Sequence, residues 1–179
     1  MLKEKQKIII TGGSGFIGTC AIDYCIKNNY SFINLDIKRP NKREHDVYWH
    51  EIDIRNRDAF EKALSSFQPT HILHLAAKLG MDNDNIDDFS ANTDGVRYLI
   101  DIGRQLPDLK RIVFTSSLIV CRNGYIPQSD TDYCPPNAYG KSKMIGELAV
   151  RNAGDLPYSW VIIRPTSVWG PWFEFSYKA

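Results

Sequence analysis

Short apolar runs alternate along this chain with longer segments in which apolar residues recur at helical spacing. The first and last runs show no polar alternation, which is typical of strands buried on both faces of a parallel sheet. The six predicted strands span residues 7–11, 31–36, 47–52, 71–75, 111–116 and 159–164. The four predicted helices span residues 16–28, 57–67, 91–105 and 138–152. This alternation predicts an α/β fold, a doubly wound open parallel sheet with helices on both sides.

The composition narrows the class of protein further. With 179 residues the chain has room for one domain, which we place at residues 1–179. Lysine plus arginine (22) nearly balances aspartate plus glutamate (21), so neither nucleic acid nor an anionic membrane is an expected partner. No apolar run approaches the roughly 18 residues of a membrane span, and the opening apolar stretch is too short for a signal peptide. We therefore expect a cytoplasmic protein.

The cysteines and the acidic residues do not predict a metal site. Cys20, Cys25, Cys121 and Cys134 lack the spacing of a zinc site or a disulfide framework, which indicates free thiols in a reducing compartment. The acidic stretch at residues 82–85 is similar to a calcium-binding loop, but Ile86 occupies a ligand position and the required glycine is missing. No metal cofactor is expected.

The strongest local signal is the glycine-rich run TGGSGFIG at residues 11–18. It follows an apolar strand directly and opens a helix, which is the context of a dinucleotide-binding turn. Two spacings fit, one through Gly13, Gly15 and Gly18 and the other starting at Gly12. Either allows the backbone to approach a pyrophosphate at a helix N-terminus. A P-loop is excluded, because Thr19 stands where its lysine should follow the last glycine.

Asp36 ends the second predicted strand, 18 residues after Gly18. An acidic side chain at this position accepts the hydroxyls of the adenosine ribose and repels a 2′-phosphate, which favours NAD over NADP. Lys38 and Arg39 follow closely and weaken this preference. NAD is the predicted cofactor, and NADP is the less favoured alternative.

Tyr139 and Lys143 lie four residues apart on a predicted helix and therefore share one face. A tyrosine is a poor base at its free pKa of about 10. A neighbouring ammonium group favours the phenolate, so we expect Lys143 to lower the pKa of Tyr139 and allow proton exchange near neutrality. The hydroxyl run Thr115-Ser116-Ser117 ends a strand that should finish beside this helix.

Taken together and in this order, these motifs resemble the extended short-chain dehydrogenase/reductases, specifically the NAD-dependent epimerase/dehydratase group. Further segments of the chain agree with the family pattern, namely Asp53-Ile54, HLAA at 74–77, Asn92, and RPTSVWGP at 164–171. The resemblance covers nearly the whole chain. It implies a Rossmann-type fold and catalytic roles for Ser117, Tyr139 and Lys143. It also implies cofactor contacts at Gly12, Gly15, Phe16, Ile17, Gly18, Asp36, Asp53, Ile54, Leu75, Ala76, Ala77, Asn92, Lys143 and Pro165.

The activity implied by the resemblance is NAD-dependent epimerisation of a nucleotide-sugar. Tyr139 would remove a hydroxyl proton, Ser117 would hydrogen-bond the same oxygen, and hydride would pass to NAD and return to the other face of the ketone. Two alternatives stay open: an NAD(P)-dependent reductase or dehydrogenase of a keto-sugar or other ketone, and a non-catalytic dinucleotide-binding regulator.

The chain also departs from the family pattern. Sugar 4,6-dehydratases of the family carry an Asp-Glu pair after the hydroxyl residue, where this chain has Leu118 and Ile119, so dehydration is not expected. Cys121-Arg122 replaces the family's Tyr-Gly. Family members are longer and carry a small C-terminal substrate domain, which we expect to be absent from residues 1–179. We expect this chain alone to be nearly inactive.

The resemblance further implies a homodimer in which the helices predicted at residues 91–105 and 138–152 pair across a two-fold axis. These helices carry more apolar residues than one sheet-facing stripe requires. The candidate contact residues are Leu99, Ile102, Leu106, Met144 and Leu148. The alternative, that some of them belong to the core of the domain, stays open.

Overall fold

The computed structural model describes residues 6–81 and 84–173. Residues 82–83 of the acidic stretch and the chain after Phe173 lie outside this range. The strands are β1 (Lys7–Thr11), β2 (Ser31–Asp36), β3 (Trp49–Glu51), β4 (His71–His74), β5 (Arg111–Thr115) and β6 (Ser159–Ile163). The helices are α1 (Phe16–Lys27), α2 (Arg57–Phe67), α3 (Ser90–Gly103) and α4 (Ala138–Arg151). Short 3₁₀ helices span Arg43–Tyr48, Ile86–Phe89 and Leu118–Val120.

The strands form one parallel sheet in the order β3-β2-β1-β4-β5-β6. In the central strand, Thr11 pairs with Leu35 of β2 on one side and with His74 of β4 on the other. This order confirms the predicted doubly wound, Rossmann-type sheet. The direction of winding reverses between β1 and β4, and ligands of such sheets bind beyond the carboxyl ends of the strands at this reversal. The predicted site residues should therefore meet at this edge.

Helices cover both faces of the sheet, but unequally. Ile9 and Ile10 are adjacent in β1, so they point to opposite faces, and both are fully buried. Ile9 belongs to a large core with residues of α2, α3 and α4, whereas Ile10 packs with Ile22 and Cys25 of α1. The larger share of the core therefore lies on the side of the three later helices.

The apolar residues in and just after α3 that we expected at a dimer contact belong to this larger core. Leu99 is fully buried, and Ile102 and Leu106 are 1% and 5% exposed. They pack beneath α3 in the same chain, so the prediction that they supply a dimer surface is wrong. Met144 and Leu148 of α4 are half-buried.

The face that carries α1 is partly bare over β4, β5 and β6. Leu73, Val113 and Val161 are in register on this face, because their neighbours Ile72 and Ile112 point into the larger core. A groove of roughly 300 Å³ opens here beside α1, lined by apolar side chains of β1, β4 and β5. Val161 is 41% exposed.

The third strand is shorter than predicted. The sequence predicts a strand over residues 47–52, whereas β3 covers only Trp49–Glu51. The preceding residues form the 3₁₀ helix Arg43–Tyr48, which buries His45 completely and leaves Val47 79% exposed.

Among residues 6–81 and 84–173, no helix has both the length and the apolarity needed to cross a bilayer.

Candidate active site

The glycine-rich turn joins β1 to α1, and each of its glycines meets a different steric demand. Gly12 adopts a φ of +73°, and a Cβ there would lie 2.5 Å from the Ala76 nitrogen. A Cβ at Gly18 would overlap the Gly12 carbonyl oxygen. Gly15 is exposed, and a Cβ there would meet only that oxygen, at 3.3 Å. The backbone conformation and the contact with Ala76 therefore both require glycine at position 12, whereas Gly15 faces open space.

The side chain of Asn34 stabilises this turn by hydrogen bonds. It is fully buried in β2, its Oδ1 accepts a hydrogen bond from the Gly13 N–H at 2.9 Å, and its Nδ2 donates to the Ser14 Oγ at 3.1 Å. No Cβ fits at Gly13, because it would overlap the Asn34 side chain. Sequence reasoning missed Asn34, although a polar residue inside the apolar run SFINLD was a visible signal.

Asp36 lies beside the turn, as predicted from its place at the end of β2. Its carboxylate accepts hydrogen bonds from the Ser14 N–H at 3.0 Å and the Lys38 N–H at 2.9 Å. Arg39 is ion-paired to Asp46, and this pairing raises the pKa of Arg39. The Arg39 guanidinium group, which could otherwise bind a 2′-phosphate, is thus already paired with a carboxylate of the protein.

Asp53 and Ile54 follow β3 at the same edge of the sheet. The Asp53 carboxylate is held by Arg55, whose hydrogen bonds lower the pKa of Asp53. Ile54 is only 4% exposed, and its side chain packs against Gly95 of α3. Any contact of Ile54 with a cofactor must therefore come from its main chain.

The segment after β4 is bonded to the end of β1. The Thr11 carbonyl oxygen accepts from the Leu75 N–H at 3.0 Å, and the Thr11 Oγ1 accepts from the Ala76 N–H at 3.3 Å. The same hydroxyl lies 2.8 Å from His74 Nδ1. Burial lowers the pKa of His74 to about 3, with a smaller contribution from Lys143, so this imidazole is neutral at physiological pH. His74 is a structural residue of the core.

Asn92 connects this segment to α3 and α4. Its Oδ1 accepts from the Lys78 N–H at 2.8 Å, and its Nδ2 donates to the Lys78 carbonyl oxygen at 3.0 Å and to the Ser142 Oγ at 2.8 Å. The side chain is 1% exposed. The direct cofactor contact predicted for Asn92 is not available to this side chain, because the protein itself uses its hydrogen bonds. Asn92 instead positions the segment that follows Ala77.

The three predicted catalytic residues meet beyond the carboxyl end of β5. Ser117 caps the 3₁₀ helix Leu118–Val120, and its Oγ accepts from the Ile119 N–H at 3.1 Å. Asn137 caps α4 through the Gly140 N–H at 2.9 Å, which places Tyr139 in the first turn. The Lys143 Nζ donates to the Thr115 carbonyl oxygen at 2.9 Å. Pro165 adjoins this group, since its carbonyl oxygen accepts from the Leu118 N–H.

The electrostatics of Tyr139 differ from the prediction. Burial raises the pKa of the Tyr139 phenol, and a hydrogen bond with the Ser117 side chain acts in the opposite direction. Burial also lowers the pKa of Lys143 to about 8, although the Glu147 carboxylate opposes this shift. Lys143 shares a helix face with Tyr139, but its ammonium group is directed at the Thr115 carbonyl. The expected lowering of the pKa of Tyr139 by Lys143 is therefore not present in this structure.

Comparison with known proteins places this geometry in a family. The model of the NAD dependent epimerase/dehydratase family matches residues 8–178. This chain belongs to that family. It is 28% identical to the N-acetyl-alpha-D-glucosaminyl-diphospho-ditrans,octacis-undecaprenol 4-epimerase of Escherichia coli O157:H7, over 92% of this chain and 50% of the relative. It is 27% identical to the decarboxylating sterol-4-alpha-carboxylate 3-dehydrogenase of Saccharomyces cerevisiae, over 95% of this chain and 53% of the relative.

A solved member of the family has the same fold. The UDP-glucose 4-epimerase of Thermus thermophilus, in complex with NAD, superposes with a TM-score of 0.75 at 26% identity. The match covers 89% of this chain and 54% of that one. The present chain thus spans about half the length of these relatives.

The α1 end of the site fits the dinucleotide that the epimerase/dehydratase family uses. Helix α1 has no side-chain cap and no acidic residue in its first turn, so its N-terminal amides are not neutralised by the protein's own side chains. Phe16 packs its ring at 5.2 Å from that of Phe173, and Ile17 is 38% exposed. A pyrophosphate would find free space at Gly15 and hydrogen-bond donors at this helix start. These residues, with Asp36, would hold NAD.

Two features near the predicted catalytic residues were missed by sequence reasoning. A Cβ at Gly140 would overlap the Ile119 carbonyl oxygen, so this glycine allows α4 to approach the 3₁₀ helix behind Ser117. Glu147 is 3% exposed and receives two hydrogen bonds of 2.7 Å from Arg164 and one of 2.9 Å from Tyr133. Both features are visible in the sequence, since Gly140 directly follows Tyr139 and Glu147 lies one helical turn after Lys143.

One group of possible metal ligands occurs in the described part of the chain, at Asp23, Glu44 and His45. The Lys42 ammonium group lies 2.7 Å from both oxygens of Asp23, and His45 Nε2 lies 2.9 Å from one of them. The pairing with Lys42 and His45 outweighs burial and lowers the pKa of Asp23. This carboxylate is neutralised by the protein and is a structural anchor for the 3₁₀ helix Arg43–Tyr48.

Blocking the open position at Gly15 tests the cofactor site. Gly15→Val should weaken NAD binding roughly 10–100-fold, the cost of losing about one charge-assisted hydrogen bond, because the new side chain fills the space a pyrophosphate needs. Calorimetric titration with NAD measures this loss, and a thermal melt should show that the variant is folded. Gly18→Ala is the contrast, since its Cβ would overlap Gly12 and should lower the melting temperature. If Gly15→Val bound NAD with unchanged affinity, the pyrophosphate would have to bind at a different place from the one proposed.

Proposed function

We propose that this chain is the nucleotide-binding and catalytic part of a NAD-dependent nucleotide-sugar epimerase. Three features support the proposal: the family match over residues 8–178, the uncapped glycine-rich turn, and the meeting of Ser117, Tyr139 and Lys143 at one edge of the sheet. The two epimerases described above act on diphosphate-linked sugars by their names. The substrate class proposed here follows from that similarity.

The observation that carries the proposal is the position of Ser117 beside Tyr139, close enough for the Ser117 side chain to lower the pKa of the Tyr139 phenol against the effect of burial. Two hydroxyl groups placed side by side can both contact a single substrate oxygen. In its phenolate form, Tyr139 accepts the proton of the sugar hydroxyl and becomes a neutral phenol, while Ser117 donates a hydrogen bond to the same oxygen as it becomes a ketone. Bound NAD supplies reversible hydride transfer.

Lys143 contributes a positive charge one helical turn from Tyr139. With a pKa of about 8 it is mostly cationic at neutral pH, despite its burial. A cation at this distance favours the phenolate over the phenol. That Lys143 lowers the pKa of Tyr139 during catalysis stays a prediction, since here its ammonium group contacts the Thr115 carbonyl.

The function can be tested by incubating the full-length protein with NAD and a panel of UDP-sugars. We expect NMR to show interconversion of two sugars that differ at one carbon, without net accumulation of NADH. The similarity to the yeast sterol dehydrogenase supports a second candidate, a net dehydrogenase or reductase, for which the NADH signal would change steadily. Binding of NAD with no turnover of any sugar or ketone would instead favour the non-catalytic regulator.

A homodimer and a cytoplasmic location remain predictions. Leu99, Ile102 and Leu106 are buried in the core. A dimer through α3 and α4 would therefore have to use the outer faces of these two helices. Met144 and Leu148 are the predicted contact residues that still have exposed surface.

We expect the full-length protein to prefer NAD over NADP by about fivefold or more. The reason is that the Asp36 carboxylate would face a 2′-phosphate, and two unit charges about 4 Å apart interact by about 1 kcal/mol even at the dielectric constant of water. Titration calorimetry with both cofactors measures the ratio. Asp36→Asn should narrow it, whereas the conservative variant Asp58→Asn on α2 should leave it unchanged. Equal affinities in the unmodified protein would mean that Lys38 governs the choice.

A further inference from the structure

Cys121 and Cys134 are opposite each other in the structure, although 13 positions separate them in the sequence. They form an isolated parallel β-bridge. The Cys134 N–H donates to the Val120 carbonyl oxygen at 3.0 Å, and the Cys134 carbonyl oxygen accepts from the Arg122 N–H at 2.7 Å. These two bonds flank Cys121 on both sides and fix the register of the pair.

This register places the backbones of the two cysteines at a separation that a disulfide can span. Paired strands lie about 4.7–4.9 Å apart, and a disulfide needs a Cα separation of about 4.4–6.8 Å. Residues opposite each other in a parallel pair project to the same face. Both cysteines are free thiols and partly exposed, and the Cys121 Sγ donates weakly to the Asp132 carbonyl oxygen at 3.4 Å. An oxidant can therefore reach either sulfur.

The bridge also spans two parts of the candidate active site. Cys121 follows directly after the 3₁₀ helix that Ser117 caps. Cys134 lies three residues before Asn137, which caps α4 ahead of Tyr139. Between the cysteines, Asp132 makes local bonds with Tyr125 and Gln128. The loop is also bonded to the rest of the domain, because the Asp130 carbonyl oxygen accepts from Arg164 and the Tyr133 hydroxyl donates to Glu147. A covalent link would fix the distance between the segment of Ser117 and the start of α4.

We propose that Cys121 and Cys134 are a reversible thiol–disulfide site that fastens these two segments together under oxidising conditions. With oxidised glutathione as the oxidant, one cysteine thiolate attacks a glutathione sulfur, the glutathione S–S bond breaks, and one reduced glutathione leaves. The second thiolate then attacks the protein sulfur of the mixed disulfide and releases the other glutathione. Two electrons pass to glutathione, which also takes up the two thiol protons.

The test treats the purified, folded chain with oxidised glutathione and then alkylates the remaining thiols. Peptide mapping should find a disulfide that joins Cys121 to Cys134, together with the loss of two free thiols and of the mass of two hydrogens. Dithiothreitol should reverse all three changes. Cys20→Ser, which removes an exposed cysteine of α1, should behave like the unmodified chain. Cys121→Ser and Cys134→Ser should instead retain a glutathione on the partner cysteine.

A second measurement separates a native link from an accidental one. Closing a loop of this size in its native geometry should raise the melting temperature of the oxidised chain by roughly 5–10 °C over the reduced chain. Neither serine variant should show this rise. Linkage through Cys20 or Cys25, glutathionylation without any Cys121–Cys134 link, or a link that leaves the melting temperature unchanged would overturn the proposal.

Discussion

Replacing Tyr139 with phenylalanine should lower turnover by the full-length enzyme roughly 10²–10⁴-fold, the usual contribution of one general acid–base group. The affinity for NAD should change only a few-fold, because in the proposed mechanism the phenol acts on the sugar hydroxyl and the predicted cofactor residues lie mainly at α1 and β2. The aromatic ring should stay in place, since it packs beside Phe89 and Ile119. Steady-state rates and NAD titrations of the same preparation measure both effects.

Tyr24→Phe is the matched control for this experiment. Tyr24 lies on α1 with 60% of its surface exposed, so removing its hydroxyl should change neither turnover nor NAD affinity. A Tyr139→Phe variant that keeps most of the activity would assign the proton transfer to another group. A variant that loses NAD binding as well would show that Tyr139 supports the cofactor site rather than the chemistry.

The second large effect is expected at Glu147. Glu147→Ala should lower the free energy of unfolding by about 3 kcal/mol, because it leaves the guanidinium group of Arg164 without its carboxylate partner in a largely buried place. The side chain of Arg164 is 20% exposed, which is why we take the lower end of the usual range. Thermal unfolding should show a fall of roughly 6–12 °C in melting temperature.

An exposed ion pair in the same protein gives the control. Asp94 and Arg97 lie 3.0 Å apart on the surface of α3, and Asp94→Ala should cost less than about 1 kcal/mol. Replacing Glu147 and Arg164 together with methionine should destabilise less than replacing Glu147 alone, since the charge of Arg164 is then removed together with its main partner. A melting temperature unaffected by Glu147→Ala would contradict the structural role assigned to this pair.

The pair of Glu147 and Arg164 should also make the stability of the fold depend on pH in the acidic range. Burial raises the pKa of Glu147, but the hydrogen bonds, led by those of Arg164, outweigh burial and lower it overall. Because the folded-state pKa lies below the unfolded one, the contribution of Glu147 to stability is present above the unfolded value. It is lost as the pH falls through the folded value. The difference between the unmodified chain and Glu147→Gln should therefore shrink in acid.

The order of elements could be predicted well from the sequence because the apolar periods are strong and the turn chemistry is local. The glycine run, Asn56 before α2 and Asn137 before α4 all mark helix starts in ways that depend on few neighbours. The third strand was harder, since its short length depends on His45 being buried against Asp23. That contact joins residues 22 positions apart, and no local pattern shows it.

For the candidate site, the sequence predicted where residues lie better than what their side chains contact. Tyr139 and Lys143 share a helix face as expected, but the acceptor of the Lys143 ammonium group is a carbonyl on β5. Asn92 was assigned to the cofactor and turned out to bond the protein's own backbone. The cysteines appeared scattered, because a register between two loop segments depends on how the chain turns between them.

The bare face of the sheet affects the order in which the strands should unfold locally. Among the residues that the structure describes, β6 pairs only with β5, and Val161 and Ile163 are 41% and 38% exposed. Little apolar burial within this part of the chain therefore opposes the separation of β6 from the sheet. β1 lies between two strands and is buried by helices on either side. Local unfolding should therefore begin at β6 and reach β1 last. Since Arg164 and Pro165 follow β6 directly, the first amides to exchange with solvent would be those beside the catalytic residues.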